Sequence, residues 1–134
     1  MNIRKAREED LASIEALALK FDLDHENMRA GNFIVAEEKG AIIGIGQVIK
    51  HKDCTEIASV GVLPEFQKTG IGAAIVKKLL EGLSGEIYLA TINPKYFESF
   101  GFKKTLQIPP SMVKKEEWCV GCKKELCTVM VLKR

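Results

Sequence analysis

A glycine-containing segment between a predicted strand and a predicted helix has the composition of an anion-binding turn. It reads Gln67-Lys68-Thr69-Gly70-Ile71-Gly72-Ala73-Ala74. The first turn of a helix has backbone N–H groups without partners and carries partial positive charge. Because the glycines at positions 70 and 72 have no Cβ, an anion could lie directly against these N–H groups. The segment therefore predicts a binding site for a phosphate or a pyrophosphate.

The order of the residues excludes two well-known phosphate motifs. A Walker loop needs Gly-Lys-Ser/Thr, whereas Lys68 and Thr69 precede the glycines here. A dinucleotide fingerprint would need a glycine at position 75, which is Ile75. A pair of helix-capping glycines that binds no ligand is the simpler alternative to an anion site.

The hydrophobic pattern around the segment predicts a β-α-β unit. Residues 56–63 are rich in β-branched side chains, which predicts a strand that ends at Pro64. Apolar residues at i, i+4 and i+8 predict a helix over 70–81. Residues 86–92 are apolar on both faces, which is typical of a central strand, and Pro94 then begins a short helix.

Two motifs in this unit resemble those of the GCN5-related N-acetyltransferase (GNAT) family. The first is the glycine segment preceded by Val62-Leu63-Pro64-Glu65, and the second is Tyr96-Phe97-Glu98-Ser99-Phe100-Gly101-Phe102. The resemblance covers nearly all of residues 1–104. It implies an α/β (α+β) fold, the GNAT fold, with a mixed, mostly antiparallel sheet of six to seven strands. About four helices would flank the sheet around the central β-α-β unit.

The resemblance also implies acetyl-CoA as co-substrate and suggests which residues bind it. The pyrophosphate would lie on Gln67, Lys68, Thr69, Gly70, Ile71, Gly72 and Ala73. Backbone groups of Val60 and Val62 would lie on the strand that contacts the cofactor, where N–H groups can polarise the thioester carbonyl. Asn93 and Phe97 would lie along the pantetheine arm.

Catalytic roles are suggested for Glu56 and Tyr96. Glu56 stands eleven residues before Gln67, which matches the general-base glutamate of some family members, although a structural carboxylate is an equal alternative. The usual general acid is a tyrosine at the position of Phe97, which has no proton to give. Tyr96 is adjacent but points about 100° away on a helix. The proton donor to the leaving thiolate could therefore be Tyr96, water or another residue.

The acceptor is predicted to be the primary amine of a small molecule, for example an amino acid such as glutamate, with Arg29 as a ligand of its carboxylate. The second half of the chain resembles short amino-acid acetyltransferases of the N-acetylglutamate synthase type. The alternatives are an enzyme that acetylates a protein or peptide amino group, which Glu56 supports, and a non-catalytic acyl-CoA sensor, which Phe97 supports.

Three cysteines near the end, Cys119, Cys122 and Cys127, could bind a metal with one ligand missing. Zinc and iron–sulfur clusters usually take four ligands, and His25, His51 or Cys54 could complete the set. Buried or redox-labile thiols are the favoured alternative, so no metal is expected.

Length and charge set the remaining expectations. With 134 residues and 46% hydrophobic content the chain predicts a single domain, in which residues 105–134 complete the sheet. The net charge of +2 arises from 20 basic and 18 acidic residues, which gives no electrostatic case for nucleic acid. No apolar run approaches the length of a membrane span. We expect a cytoplasmic protein that could form a homodimer.

Overall fold

The computed structural model describes residues 1–21, 23, 28–112 and 128–134. The strands are β1 (Asn2–Lys5), β2 (Phe33–Glu38), β3 (Ala41–Lys50), β4 (Thr55–Val62), β5 (Glu86–Thr91), β6 (Lys103–Lys104) and β7 (Thr128–Lys133). The α-helices among these residues are α1 (Leu11–Lys20), α2 (Ile71–Leu80) and α3 (Pro94–Glu98). Short 3-10 turns occupy Glu8–Asp10, Ala30–Asn32, Pro64–Phe66 and Pro110–Met112. In these ranges no helix has the length and apolar character needed to cross a membrane.

Hydrogen bonding links the strands into one mixed sheet in the order β1-β2-β3-β4-β5-β7-β6. Strands β4 and β5 are parallel and are connected through α2, which confirms the predicted β-α-β unit. The pairs β1–β2, β2–β3, β5–β7 and β6–β7 are antiparallel. The predicted mixed, mostly antiparallel sheet is therefore confirmed, with seven strands in the described part of the chain.

The first of two compact units comprises Met1–Ile49 and Ile57–Gly82. Its core is built from the apolar face of α1 and from inward-facing residues of β2 and β3, namely Ile14, Leu17, Ala18, Phe33, Val35 and Ile45. Gly44 and Gly46 of β3 face α2: a Cβ added to them would lie 2.9 and 2.8 Å from side-chain atoms of Ile75. The two glycines therefore let the helix approach the sheet closely, which explains their presence inside a strand.

An ion-pair network lies at the start of this unit. Acidic side chains are favoured near a helix N-terminus by the helix dipole, and Asp10, just before α1, has a more specific role. Its carboxylate accepts hydrogen bonds from the Arg7 backbone N–H and from Arg4 Nη1, both at 2.8 Å. Arg4 also reaches Glu37, with Nη2 3.4 Å from Oε2. The hydrogen bond from Arg4 lowers the pKa of Asp10 to about 2, although partial burial opposes the shift.

The second compact unit comprises Lys50–Glu56 and Leu83–Arg134. Among its described residues, the buried side chains are Ile87, Leu89, Phe102, Met112 and Met130. Strand β7 pairs with β5 from Thr91–Thr128 to Glu86–Lys133. The sequence predicted a loop from residue 103 onward, and this is wrong at its start, because Lys103 and Lys104 pair with β7 as an edge strand. Two exposed lysines carry no strand signal, and only the distant partner strand reveals the pairing.

Candidate active site

The predicted anion-binding segment forms the entry to α2 in the first unit. Gly70 is the N-cap residue with φ 87° and ψ 0°, a left-handed conformation that favours glycine. The first helical hydrogen bond runs from the Ala74 N–H to the Gly70 carbonyl at 3.0 Å. Within the described part of the chain, the backbone N–H groups of residues 68–73 have no hydrogen-bond partner. A turn with free N–H groups at a helix N-terminus, and with open space where a Cβ of residue 70 would lie, fits a pyrophosphate.

Local hydrogen bonds hold this turn in place. Gln67 Nε2 donates to the Val62 carbonyl at 3.0 Å, which ties the turn to the end of β4. The Thr69 hydroxyl donates to the Phe66 carbonyl. Lys68 has a left-handed φ of 64°, and its exposed side chain adds positive charge beside the free N–H groups. The seven residues predicted to bind the pyrophosphate therefore form one continuous turn that local hydrogen bonds stabilise.

Strand β4 departs from regular geometry just before Val60. Ser59 has a left-handed φ of 55° within the strand, which is uncommon for a residue other than glycine. Its Oγ accepts a hydrogen bond at 2.9 Å from Nε2 of the buried Gln47 on β3. Neither residue was singled out from the sequence. A glutamine in an otherwise apolar strand is the one signal that could have identified the contact, since buried polar groups need partners.

Glu56, the predicted general base, lies in the second unit and has a partner that the sequence did not suggest. Its Oε1 lies 2.8 Å from Nε2 of His51, and the two side chains are 15% and 22% exposed, His51 being the more exposed. In the ladder between β4 and β5, Glu56 is the register partner of Tyr88. Glu56 and His51 flank the tight turn between β3 and β4, which brings them together.

Other polar groups surround this turn. The backbone N–H of Ser111 donates to Asp53 Oδ2 at 3.0 Å and its hydroxyl donates to Oδ1, and these bonds lower the pKa of Asp53. Burial raises the pKa of the Cys54 thiol, and the nearby carboxylates of Asp53 and Glu56 add to this effect. Burial also raises the pKa of Tyr88. At neutral pH the thiol and the phenol are therefore uncharged.

Tyr96, the candidate general acid, lies on α3 within an aromatic cluster. Its ring centroid is 5.1 Å from that of Phe97 and 5.4 Å from that of Phe100, in edge-to-face arrangements. Burial raises the pKa of the phenol, which is 37% exposed as a residue. Phe97 packs edge-on against Phe102. The phenol is protonated at neutral pH and has no hydrogen-bond partner among the described residues.

Asn93 and Arg29 are exposed and lie next to short helical turns. Asn93 is the N-cap residue of α3, and its backbone N–H donates to the Thr91 hydroxyl at 2.9 Å. Arg29 precedes the turn Ala30–Asn32, and its guanidinium forms no ion pair with any described residue.

The predicted metal ligands Cys119, Cys122 and Cys127, as well as His25, lie outside the described residues. Within the described ranges, no group of three His, Cys, Asp or Glu residues is arranged to hold a metal.

A family model for the acetyltransferase (GNAT) domain matches residues 29–104, a range that contains the turn at residues 67–73, β4 and the aromatic helix. The chain belongs to the GNAT family. It is an N-acetyltransferase, as the resemblance of its two motifs predicted, and acetyl-CoA is its acyl donor.

Comparison with individual proteins agrees with this assignment. The chain is similar to the uncharacterized N-acetyltransferase CT2212 of Chlorobaculum tepidum, with 29% identity over 140 residues, 92% of this chain and 88% of that protein. Its fold is similar to that of Rv2747 from Mycobacterium tuberculosis in complex with CoA, with a TM-score of 0.76 and 24% identity over 100% of this chain and 99% of that one.

The fold also resembles that of N-acetylglutamate synthase from Neisseria gonorrhoeae complexed with coenzyme A and N-acetyl-glutamate. The TM-score is 0.74 and the identity 19%. The similarity spans 97% of this chain but only 34% of that longer one. Within that protein, the region similar to this chain is therefore about a third of the whole.

Proposed function

We propose that this GNAT protein transfers the acetyl group of acetyl-CoA to the α-amino group of a free amino acid, glutamate or a close relative. The observation that carries the first half of the proposal is the turn at residues 67–73, with its free N–H groups. The similarity of almost the whole chain to one third of an N-acetylglutamate synthase supports the choice of acceptor.

The turn at residues 67–73 would bind the pyrophosphate of acetyl-CoA. Free backbone N–H groups can each donate to a phosphate oxygen, and the partial positive charge at the N-terminus of α2 and the ammonium of Lys68 favour the negative charge. Backbone groups of Val60 and Val62 would contact the acyl end. Asn93 and Phe97 would lie along the pantetheine arm, where Asn93 can donate hydrogen bonds and Phe97 offers an apolar surface.

Glu56 would act as the general base. It accepts a proton from the acceptor ammonium, directly or through a water, so that the neutral amine can attack the thioester carbonyl. The new C–N bond forms, the C–S bond breaks, the nitrogen releases its second proton to solvent, and the thiolate of CoA takes up one proton. Tyr96 would supply that proton, because its phenol is protonated at neutral pH, and would recover one from solvent. We assign the carboxylate of the acceptor to Arg29, an exposed cation without an ion-pair partner among the described residues.

Direct detection of the acetylated product by mass spectrometry tests this proposal. The purified protein is incubated with acetyl-CoA and three sets of acceptors: free amino acids, polyamines and lysine-containing peptides. Product detection avoids interference from the thiols of the protein itself. We expect acetylation of glutamate or a close relative, and loss of that product in Glu56→Gln.

Each other result has a defined meaning. A product only on peptides would overturn the amino-acid acceptor and favour a protein substrate. Binding of CoA without product on any acceptor would overturn catalysis as proposed and favour a sensor of acyl-CoA. The variant Arg29→Gln tests the acceptor assignment by itself, because it should raise the KM for the amino acid and leave the KM for acetyl-CoA unchanged.

A further inference from the structure

We propose that His51 is a positioning residue for this reaction: its hydrogen bond to Glu56 orients the carboxylate that accepts the proton of the acceptor amine. The inference rests on the proposed role of Glu56 as general base. The sequence pointed to His51 only as one of several residues that could complete a metal site, and the evidence for its role here is the 2.8 Å contact between its Nε2 and Glu56 Oε1.

The direction of this hydrogen bond follows from what a general base must be. An ionised carboxylate has no proton to donate, so the hydrogen between the two atoms belongs to Nε2 of His51. Oε1 of Glu56 is then engaged, while Oε2 has no hydrogen-bond partner among the described residues. The contact thus divides the carboxylate into one oxygen that is held and one that is available to the substrate.

The backbone around His51 is itself fixed. The His51 N–H donates to the Cys54 carbonyl at 2.9 Å, which closes the turn between β3 and β4. Ser111 holds Asp53, in the middle of this turn, through two hydrogen bonds. With the side chain of His51 only 22% exposed, the imidazole has little freedom to leave Glu56. A bond between two largely buried, backbone-anchored side chains constrains the glutamate more than an exposed pair would.

Three other ionisable groups lie near the pair. Asp53 and Cys54 lie on the turn itself, and Tyr88 is the register partner of Glu56 on β5. Cys54 and Tyr88 are uncharged at neutral pH because burial raises the pKa of each. Asp53 is the ionised neighbour, since the hydrogen bonds from Ser111 keep its pKa below the usual value.

Orientation of a catalytic group affects turnover more than it affects substrate binding. A misplacement of about 1 Å can cost on the order of 100-fold in rate. We therefore expect His51→Ala to lower kcat by about 10- to 100-fold and to leave the dissociation constant of CoA unchanged. The variant His51→Gln places an amide N–H near the position of Nε2, and it should keep kcat within about fivefold of the native value.

A double-mutant cycle with Glu56→Ala provides the test, with acetyl-CoA and L-glutamate as substrates and acetylated product as the measured quantity. If His51 acts through Glu56, His51→Ala should lower kcat in the native background and change it by less than about twofold in the Glu56→Ala background. A structural role of His51 would produce the same loss in both backgrounds. Lys52→Ala, an exposed neighbour on the same turn, serves as the matched control and should be as active as the native protein.

The outcomes separate this inference from the proposed function. Full activity of His51→Ala, or an equal loss in both backgrounds, would overturn the role of His51 and leave that of Glu56 standing. Full activity of Glu56→Ala would overturn the general base, and the inference with it. Absence of acetylated glutamate with the native protein would overturn the proposed acceptor and this inference as stated, while CoA binding would still report on the turn at residues 67–73.

Discussion

Replacement of Asp10 by asparagine should remove stability in a way that depends on pH. The Asp10 carboxylate, only 9% exposed as a residue, accepts hydrogen bonds from Arg4 and from the Arg7 backbone N–H. Its pKa falls from 3.8 to about 2 on folding. At about 1.4 kcal/mol per pKa unit, the ionised form contributes about 2 kcal/mol to the free energy of unfolding. The variant Asp10→Asn keeps an oxygen for the Arg7 N–H, removes the charge, and replaces the oxygen that accepts from Arg4 Nη2 by an amide NH2 group, much as protonation of the carboxylate would.

The sign of the pH dependence follows from the lowered pKa. The unfolded chain binds a proton at Asp10 more readily than the folded chain does, so acid favours unfolding. The contribution is complete above the unfolded-state pKa of 3.8 and is lost as the pH falls through about 2. We expect Asp10→Asn to be about 2 kcal/mol less stable than the native protein at pH 7, and this difference to fall below about 0.5 kcal/mol near pH 2.

Urea unfolding followed by circular dichroism, repeated between pH 7 and pH 2, measures this difference. The slope m should be the same for both proteins, so that a shift in midpoint reports stability. Glu9→Gln is the matched control, because the Glu9 side chain is 69% exposed and, among the described residues, pairs only with the exposed Arg7. It should change stability by less than about 0.5 kcal/mol. A deficit of Asp10→Asn that is equal at pH 7 and pH 2 would refute the assignment to charge.

Three glycines in the first unit lead to further expectations. Gly70→Ala and Gly40→Ala both force a side chain into a left-handed backbone, with φ 87° and 81°, so each should cost about 1–2 kcal/mol of stability. Isothermal titration should show CoA binding weakened about tenfold in Gly70→Ala alone; equal binding in both variants would count against the pyrophosphate turn. Gly61→Ala places a Cβ 2.5 Å from the ring of Phe21, so it should lower the free energy of unfolding by about 1–3 kcal/mol. The double variant with Phe21→Leu should recover part of that loss, and no recovery would contradict the steric explanation.

Local signals in the sequence were sufficient for the β-α-β unit. Helix α2 was predicted within one residue at each end, because its apolar periodicity and its flanking glycines all lie within the helix or next to it. The turn before it follows from the same neighbours, since Gly70 sits where a left-handed N-cap is needed. The aromatic helix α3 begins at Pro94 as predicted, since proline is suited to that position.

Contacts between residues far apart in the sequence required the tertiary structure. Strand β6 was missed because its two lysines become a strand only through pairing with β7. Two glycines inside β3 indicate a close backbone approach or a bulge, and only the tertiary structure identifies Ile75 of α2 as the side chain that packs on them. The hydrogen bond between Gln47 and Ser59 depends on the register of β3 and β4, which no local pattern determines.

The sequence by itself determined the family, the acyl donor and the turn expected to bind it, because these depend on short segments whose backbone conformation is set by neighbouring residues. Only the tertiary structure paired His51 with Glu56 and Asp10 with Arg4. Both pairs depend on the path of the folded backbone, which places the two side chains of each pair next to each other. A side chain's partner is chosen by the fold, since the energy of a hydrogen bond is gained only when both groups are brought within about 3 Å.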